Sequence, residues 1–347
     1  MQNELLALAR PEIVAMNSYA SARSENAMGS IWLDANENPW NSGQYNRYPE
    51  PQPGSLVTLL STVYNVDSNQ VLVTRGSDEG IDLLLRLFCR SGQDKIMICP
   101  PTYGMYKVAA TIQGASIVEV PLLKEQNFAL NVANILNAWQ SCIKLIFLCS
   151  PNNPTGNLLA VQDILSLCKI LDKQSIIVVD EAYVEFANSD SVCRYLNEFP
   201  NLVVLRTLSK AYGLAGIRCG VTIANPAIIQ LLKKIIAPYP ISKPVVSIAT
   251  KQLSQNGIET QISVIQQERG RLFDFLSNVA LVRKVWKSDA NFLLFEAVNA
   301  KMVMGVCASH GIVLRDRSNE YNLTNCIRVT VGDPKENTFL MEVLSRA

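Results

Sequence analysis

The stretch I-K-L-I-F-L-C-S-P-N-N-P-T-G, Ile143 to Gly156, runs an almost unbroken apolar segment straight into a polar turn of prolines, asparagines and a glycine. Strands that alternate apolar and polar residues have one wet face; a continuously apolar strand is covered on both faces. The same texture recurs at D-K-I-M-I-C-P, S-I-I-V-V-D-E-A-Y, N-L-V-V-L-R-T and R-C-G-V-T-I-A-N. Between these runs lie helical patterns, with Ile81, Leu84, Leu85 and Phe88 after G-S-D-E-G, and Ile164, Leu165, Cys168 and Leu171 after G-N-L-L-A-V-Q-D. Alternation of this kind from residue 70 to residue 235 predicts an α/β fold with a mainly parallel sheet sandwiched by helices.

Beyond Pro244 the texture changes to a long helical stretch, V-V-S-I-A-T through R-L-F-D-F-L, then to strands V-W-K-S-D-A-N-F-L-L-F and C-I-R-V-T-V, which predicts a smaller α+β domain. The proline-rich A-P-Y-P-I-S-K-P is the expected boundary. The division expected is an N-terminal arm over 1–30, a large domain over 31–243 and a small domain over 244–347.

With 347 residues, 48% of them hydrophobic and 18% charged, the chain can bury a normal core. Its 31 Lys and Arg against 30 Asp and Glu indicate no general attraction to nucleic acid or anionic membrane, so an anion site must be local. No apolar run suits a secretory signal or a membrane span, and a cytosolic protein is expected. Nine scattered cysteines without a C-x-x-C pair are expected to be buried free thiols. The single histidine, His310, rules out metal motifs that need two, and its place in A-S-H-G reads as a helix end with a glycine cap.

In an open parallel sheet ligands bind beyond the carboxyl ends of the strands. There the sequence places S-P-N-N-P-T-G, D-E-A-Y and T-L-S-K. No G-x-x-x-x-G-K-[ST] occurs, and Gly213, Gly216 and Gly220 are wrongly spaced for G-x-G-x-x-G, so a nucleotide enzyme is not indicated. What remains at one edge is Asn153, Asp180, Tyr183, Lys210 and Arg218. A lysine at a strand end suits a Schiff base with an aldehyde cofactor, and an acid suits a protonated pyridine nitrogen. Lys210 and Asp180 fit those roles, with Tyr183 and Asn153 available to polarise a phenolate oxygen. Gly76-Ser77-Asp78, just before an amphipathic helix, forms a natural anion site, which Arg218 and the hydroxyls of Thr207 and Ser209 would close.

Together these residues resemble the pyridoxal-phosphate aminotransferases of the aspartate aminotransferase fold, the histidinol-phosphate aminotransferase family in particular. The resemblance runs from N-S-Y-A-S-A-R through W-L-D-A-N-E-N-P, Y-N-R-Y-P-E-P-Q-P, P-P-T-Y-G-M-Y, S-P-N-N-P-T-G, D-E-A-Y, T-L-S-K-A-Y-G-L-A-G-I-R-C-G and G-I-V-L-R-D-R to I-R-V-T-V-G. It implies a cofactor, pyridoxal 5'-phosphate, held by Lys210, with Asp180 at the ring nitrogen, Tyr183 and Asn153 at the phenolate, Tyr103 stacked on the ring, and Gly76, Ser77, Asp78, Thr207, Ser209 and Arg218 around the phosphate. It further implies a homodimer in which Tyr48 reaches the neighbouring site, Arg328 grips the carboxylate of glutamate, and Arg315 with Tyr19 meets the phosphate of histidinol phosphate. Arg317 lies two residues from Arg315 and would share its strand face. An aromatic or broad-range aminotransferase and a threonine-phosphate decarboxylase of the same fold are the alternatives that the resemblance leaves open.

Overall fold

The computed structural model describes residues 2–17, 31–40, 45–255 and 257–347. The apolar runs form the centre of a seven-stranded sheet. Its strands are β1 (Val71–Thr74), β2 (Lys95–Ile98), β3 (Ser116–Glu119), β4 (Ile143–Cys149), β5 (Ile176–Asp180), β6 (Leu202–Thr207) and β7 (Gly220–Ala224), in the order β1-β7-β6-β5-β4-β2-β3. β3, β2, β4, β5 and β6 run parallel, while β7 lies antiparallel to both β6 and β1. Every residue of β5, β6 and β7 is buried, as expected of strands sandwiched between helices.

The helix Ser77–Phe88 buries Ile81, Leu84, Leu85 and Phe88 in the core of one sheet face. The first helices, Gln2–Leu6 and Pro11–Ala15, dock on that same core through Leu5, Leu8, Ala9 and Ile13, and the Arg10 amide donates to the Leu87 carbonyl at 2.9 Å.

A second sheet of four antiparallel strands, in the order β10-β11-β9-β8, comprises β8 (Val282–Val285), β9 (Phe292–Ala297), β10 (Arg315–Asp316) and β11 (Cys326–Thr330). The stretch expected as one strand, V-W-K-S-D-A-N-F-L-L-F, is instead split. β8 ends at Val285, β9 begins at Phe292, and the bend between them docks on the Asn153 loop. The Asp289 amide donates to the Gly156 carbonyl at 2.7 Å, and its carboxylate accepts from the Leu158 amide at 3.1 Å. Gly156 is required here: its φ is +83°, and a Cβ would lie 2.3 Å from the Ser288 hydroxyl. The long helical stretch is likewise two helices, Lys243–Leu253 and Ile258–Asn278, separated at Gly257 with φ +115°.

Buried residues on and beside the two sheets share one apolar cluster: Trp286, Leu294, Leu323 and Cys326 pack with Leu148, Val179 and Leu208. All nine cysteines are free, eight of them buried. His310 ends the helix Ala300–Ser309, with Gly311 in the left-handed region after it and its ring nitrogen 2.9 Å from the Val306 carbonyl. Among the described residues no helix is long and apolar enough to cross a membrane.

Candidate active site

The polar turns after β4, β5 and β6 converge with the start of the helix Ser77–Phe88 and with β10 and β11 around a cavity of about 410 Å³. At one end, β1 leads through Gly76, φ +77°, into that helix, whose first amides have no intrahelical partners and carry its positive dipole end. β7 begins against this turn. A Cβ on Gly220 would stand 2.3 Å from both the Gly76 carbonyl carbon and the Ser77 nitrogen, so only glycine permits the approach. Arg218, itself at φ +55°, folds its guanidinium over Gly76 and donates Nη2 to Asp78 Oδ2 at 3.2 Å. Thr207 and Ser209 complete the pole with hydroxyls 3.0 Å apart. Amides, hydroxyls and one guanidinium facing a common space are donors suited to a phosphate.

In the middle of the cavity, β5 ends on Asp180, which is 2% exposed. One carboxylate oxygen accepts the Tyr106 hydroxyl at 2.7 Å and the other the Ala182 amide at 3.1 Å. Neither partner is a cation. Burial therefore pushes the Asp180 pKa up to about 6, against the lowering effect of those two hydrogen bonds. A buried carboxylate facing a cavity, with no counter-charge of its own, suits the protonated nitrogen of a pyridine ring.

Tyr103 also lines the cavity and donates its hydroxyl to Asp78 at 3.0 Å. Tyr183 stands opposite, edge-on to Phe292, with its hydroxyl 3.3 Å from the Asn153 amide nitrogen. The Lys210 ammonium sits 5.5 Å from the Tyr183 ring centroid. It opens on the cavity, yet desolvation first and the Arg328 charge second lower its pKa, which favours the neutral nucleophilic amine.

At the other end three guanidiniums line the wall, those of Arg315, Arg317 and Arg328. Arg315 and Arg328 are cross-strand partners between β10 and β11. Arg328 donates Nη1 to Asn153 Oδ1 at 2.6 Å, so that one amide joins Tyr183 to Arg328. A wider hollow of about 730 Å³ lies elsewhere, beside Lys124, Glu296 and Tyr321. Its one ammonium is occupied by the Asn322 carbonyl and the Glu296 carboxylate, and the chemistry is assigned to the smaller cavity.

Of the residues expected from the sequence, Ser77, Asp78, Tyr103, Asn153, Asp180, Tyr183, Thr207, Ser209, Lys210, Arg218, Arg315 and Arg328 line this single cavity, with Gly76 under the Arg218 guanidinium. Tyr48 does not line it; half exposed, it stacks on Tyr239 at 4.6 Å. Tyr19 lies outside the described residues. Tyr106 was not foreseen as the partner of Asp180, although its position one helical turn after Tyr103 in P-T-Y-G-M-Y offered a signal.

The sequence family described as aminotransferase class I and II matches residues 15–344. Over 346 residues the chain is 44% identical to a histidinol-phosphate aminotransferase of Francisella philomiragia, covering 98% of this chain and 94% of the relative. This chain belongs to the histidinol-phosphate aminotransferase family. A second member, from Buchnera aphidicola, is 42% identical, covering 97% of each chain. The crystal structure of histidinol-phosphate aminotransferase from Sinorhizobium meliloti in complex with pyridoxal-5'-phosphate shares the family's fold, with a TM-score of 0.80 at 24% identity over 88% of this chain and 84% of that one.

Proposed function

We propose that the chain moves an amino group from L-histidinol phosphate to 2-oxoglutarate, giving imidazole acetol phosphate and L-glutamate, a step of L-histidine biosynthesis, with pyridoxal 5'-phosphate as cofactor. The observation that carries this reading is one cavity holding a desolvated lysine, a buried acid without a counter-charge and an arginine wall, in a chain 44% identical to a histidinol-phosphate aminotransferase.

When bound, the cofactor supplies an aldehyde carbon and a pyridine ring that accepts the electron pair left when Cα of the substrate loses its proton. The amides of Ser77 and Asp78, the hydroxyls of Thr207 and Ser209 and the Arg218 guanidinium would hold its phosphate. Asp180 would keep the proton on the ring nitrogen, and that positive charge would in turn stabilise Asp180 as carboxylate, against the burial that raises its pKa. Tyr183 and Asn153 would donate to the ring oxygen, and Tyr103 would pack against the ring. Lys210 Nζ, whose lowered pKa favours the neutral amine, would hold the cofactor at its aldehyde carbon and would carry the Cα proton as general base. Arg328 orients the carboxylate of glutamate and Arg315, with Tyr19, the phosphate of the other substrate; planar forks serve both anions.

The working unit in this reading is a homodimer. Ile31, Leu33, Trp40, Tyr45 and Tyr48 lie exposed in one short segment, and burying them against a second copy would bring Tyr48 to the neighbouring site. In this reading the enzyme is cytoplasmic and has an arm over 1–30, a large cofactor-binding domain over 31–243 and a small domain over 244–347; the two separate sheets support the last division. The test is an absorbance titration of the purified holoenzyme. L-histidinol phosphate should abolish the band of the lysine-bound cofactor and 2-oxoglutarate should restore it; a band indifferent to histidinol phosphate but sensitive to tyrosine would replace this substrate by an aromatic amino acid.

A further inference from the structure

The arginine wall holds more charge than one carboxylate needs. Arg315 and Arg328 face each other across β10 and β11, and the Arg317 amide donates to the Cys326 carbonyl at 2.9 Å, which continues the pairing and puts all three side chains on one face. Like charges directly opposite on paired strands are unfavourable. Arg317 ranks second, after burial, among the causes that lower the Arg328 pKa. The cluster is therefore built at a cost that an anion would offset.

We propose that Arg317 is a specificity-determining residue, the guanidinium by which this site distinguishes a phosphate monoester from a carboxylate; the inference rests on the functional reading above. Arg317 gives Nη1 to Glu320 Oε1 at 2.6 Å, while its Nη2 makes no hydrogen bond among the described residues. The same turn carries an incomplete polar network: Arg317 Nε, Ser318 Oγ and Glu320 Oε2 are all buried without partners among the described residues. Asp316, between Arg315 and Arg317, turns its carboxylate to the Ser318 amide at 2.8 Å and neutralises neither.

The placement of the charges then decides the selectivity. Three guanidiniums less the Glu320 carboxylate leave two positive charges, which match a phosphate ester carrying about −1.5 to −2 at neutral pH. A dicarboxylic acid also carries two negative charges, but on two separated groups, one of which the fork of Arg328 satisfies alone, whereas the phosphate concentrates its charge and three acceptor oxygens at one point. Glu320 holds the Arg317 fork in place, so that little side-chain freedom is lost when the phosphate arrives. Arg317 thus acts on the phosphate-bearing substrate and leaves the dicarboxylic acid almost untouched.

The experiment uses holoenzyme of wild type, Arg317→Gln and Arg317→Lys, each shown by its cofactor absorbance to have folded and loaded. Calorimetric titration with glycerol 3-phosphate, a phosphate monoester with no amine to transfer, is set beside titration with succinate, a dicarboxylate with no keto group. Removing a charge-assisted contact should weaken glycerol 3-phosphate by about tenfold or more in Arg317→Gln, with an intermediate loss in Arg317→Lys. Succinate should change less than about twofold, and the KM for histidinol phosphate should rise while that for 2-oxoglutarate holds. Equal losses for both probes, or no loss for either, would overturn the inference and leave Arg317–Glu320 as a pair that only shapes the turn. If wild type fails to turn over histidinol phosphate, the substrate assignment falls, and the contrast between the two non-reacting probes still decides the role of Arg317.

Discussion

Asp180 should make the cofactor-free protein less stable as pH rises, and replacing it by asparagine should remove that dependence. The carboxyl has an ordinary pKa of 3.8 in the unfolded chain and about 6 in the folded one, because burial disfavours its charged form. Between those values the folded state keeps a proton that the unfolded state has released, so stability falls as pH climbs from about 4 to about 6 and stays reduced above it. A gap of roughly two units corresponds to about 3 kcal/mol in full; integrating the two titrations gives about 1.6 kcal/mol already lost at pH 5, hence a further loss of about 1.4 kcal/mol between pH 5 and pH 8. Asp180→Asn keeps the shape and lets the Tyr106 hydroxyl and the Ala182 amide find partners at the new side chain, without the titrating charge. Urea unfolding of the cofactor-free wild type and variant at both pH values isolates the effect, since every other titrating group cancels in the comparison. The variant's advantage over wild type should grow by about 1.4 kcal/mol from pH 5 to pH 8. A difference that stays constant within about 0.3 kcal/mol would refute the view of Asp180 as a desolvated acid awaiting a cation.

Three further outcomes follow from the same geometry. Lys210→Ala should abolish transamination and the absorbance band of the lysine-bound cofactor; retention of both would remove Lys210 from the mechanism. Gly220→Ala, which drives a Cβ into the Gly76–Ser77 backbone, should weaken cofactor binding by about tenfold or more in a fluorescence titration, and unchanged affinity would dissociate that turn from the phosphate. Arg206 lies 6% exposed between Glu181 and Glu185, at 3.2 and 2.8 Å, with the Tyr64 ring 4.5 Å from its guanidinium. Arg206→Met strands two buried carboxylates and should cost about 3–5 kcal/mol in urea unfolding; a loss below about 1 kcal/mol would mean that the carboxyls are protonated there.

The sheet was legible where burial on both faces writes a continuous apolar run, as in β4, β5 and β6. β3 escaped notice because it is an edge strand with exposed ends, and β10, expected only as the strand face that Arg315 shares with Arg317, is no longer than Arg315–Asp316. The bend between β8 and β9 escaped because what interrupts the strand is a contact with the Gly156 loop more than a hundred residues away, which no local pattern records. The cofactor residues were legible because they follow strand ends in recognisable order. Tyr106 was not singled out because it reads locally as an ordinary helix aromatic, and Arg317 was noted only for sharing the strand face of Arg315; only the tertiary fold brings one to Asp180 and the other to the arginine wall.

The Asn153 amide has a consequence for how this site can be altered. One planar group holds Tyr183 through its nitrogen and Arg328 through its oxygen. A substitution at 328 meant to change which acid is accepted also unties the hydrogen-bond partner of Tyr183, and a substitution at 183 loosens the acid's anchor. Acceptor choice and ring electronics are therefore inherited together, and Arg328→Lys combined with Tyr183→Phe should depart from additivity in a double-mutant cycle. Laboratory evolution toward a new acceptor should accordingly recruit compensating changes near Asn153 before it improves turnover.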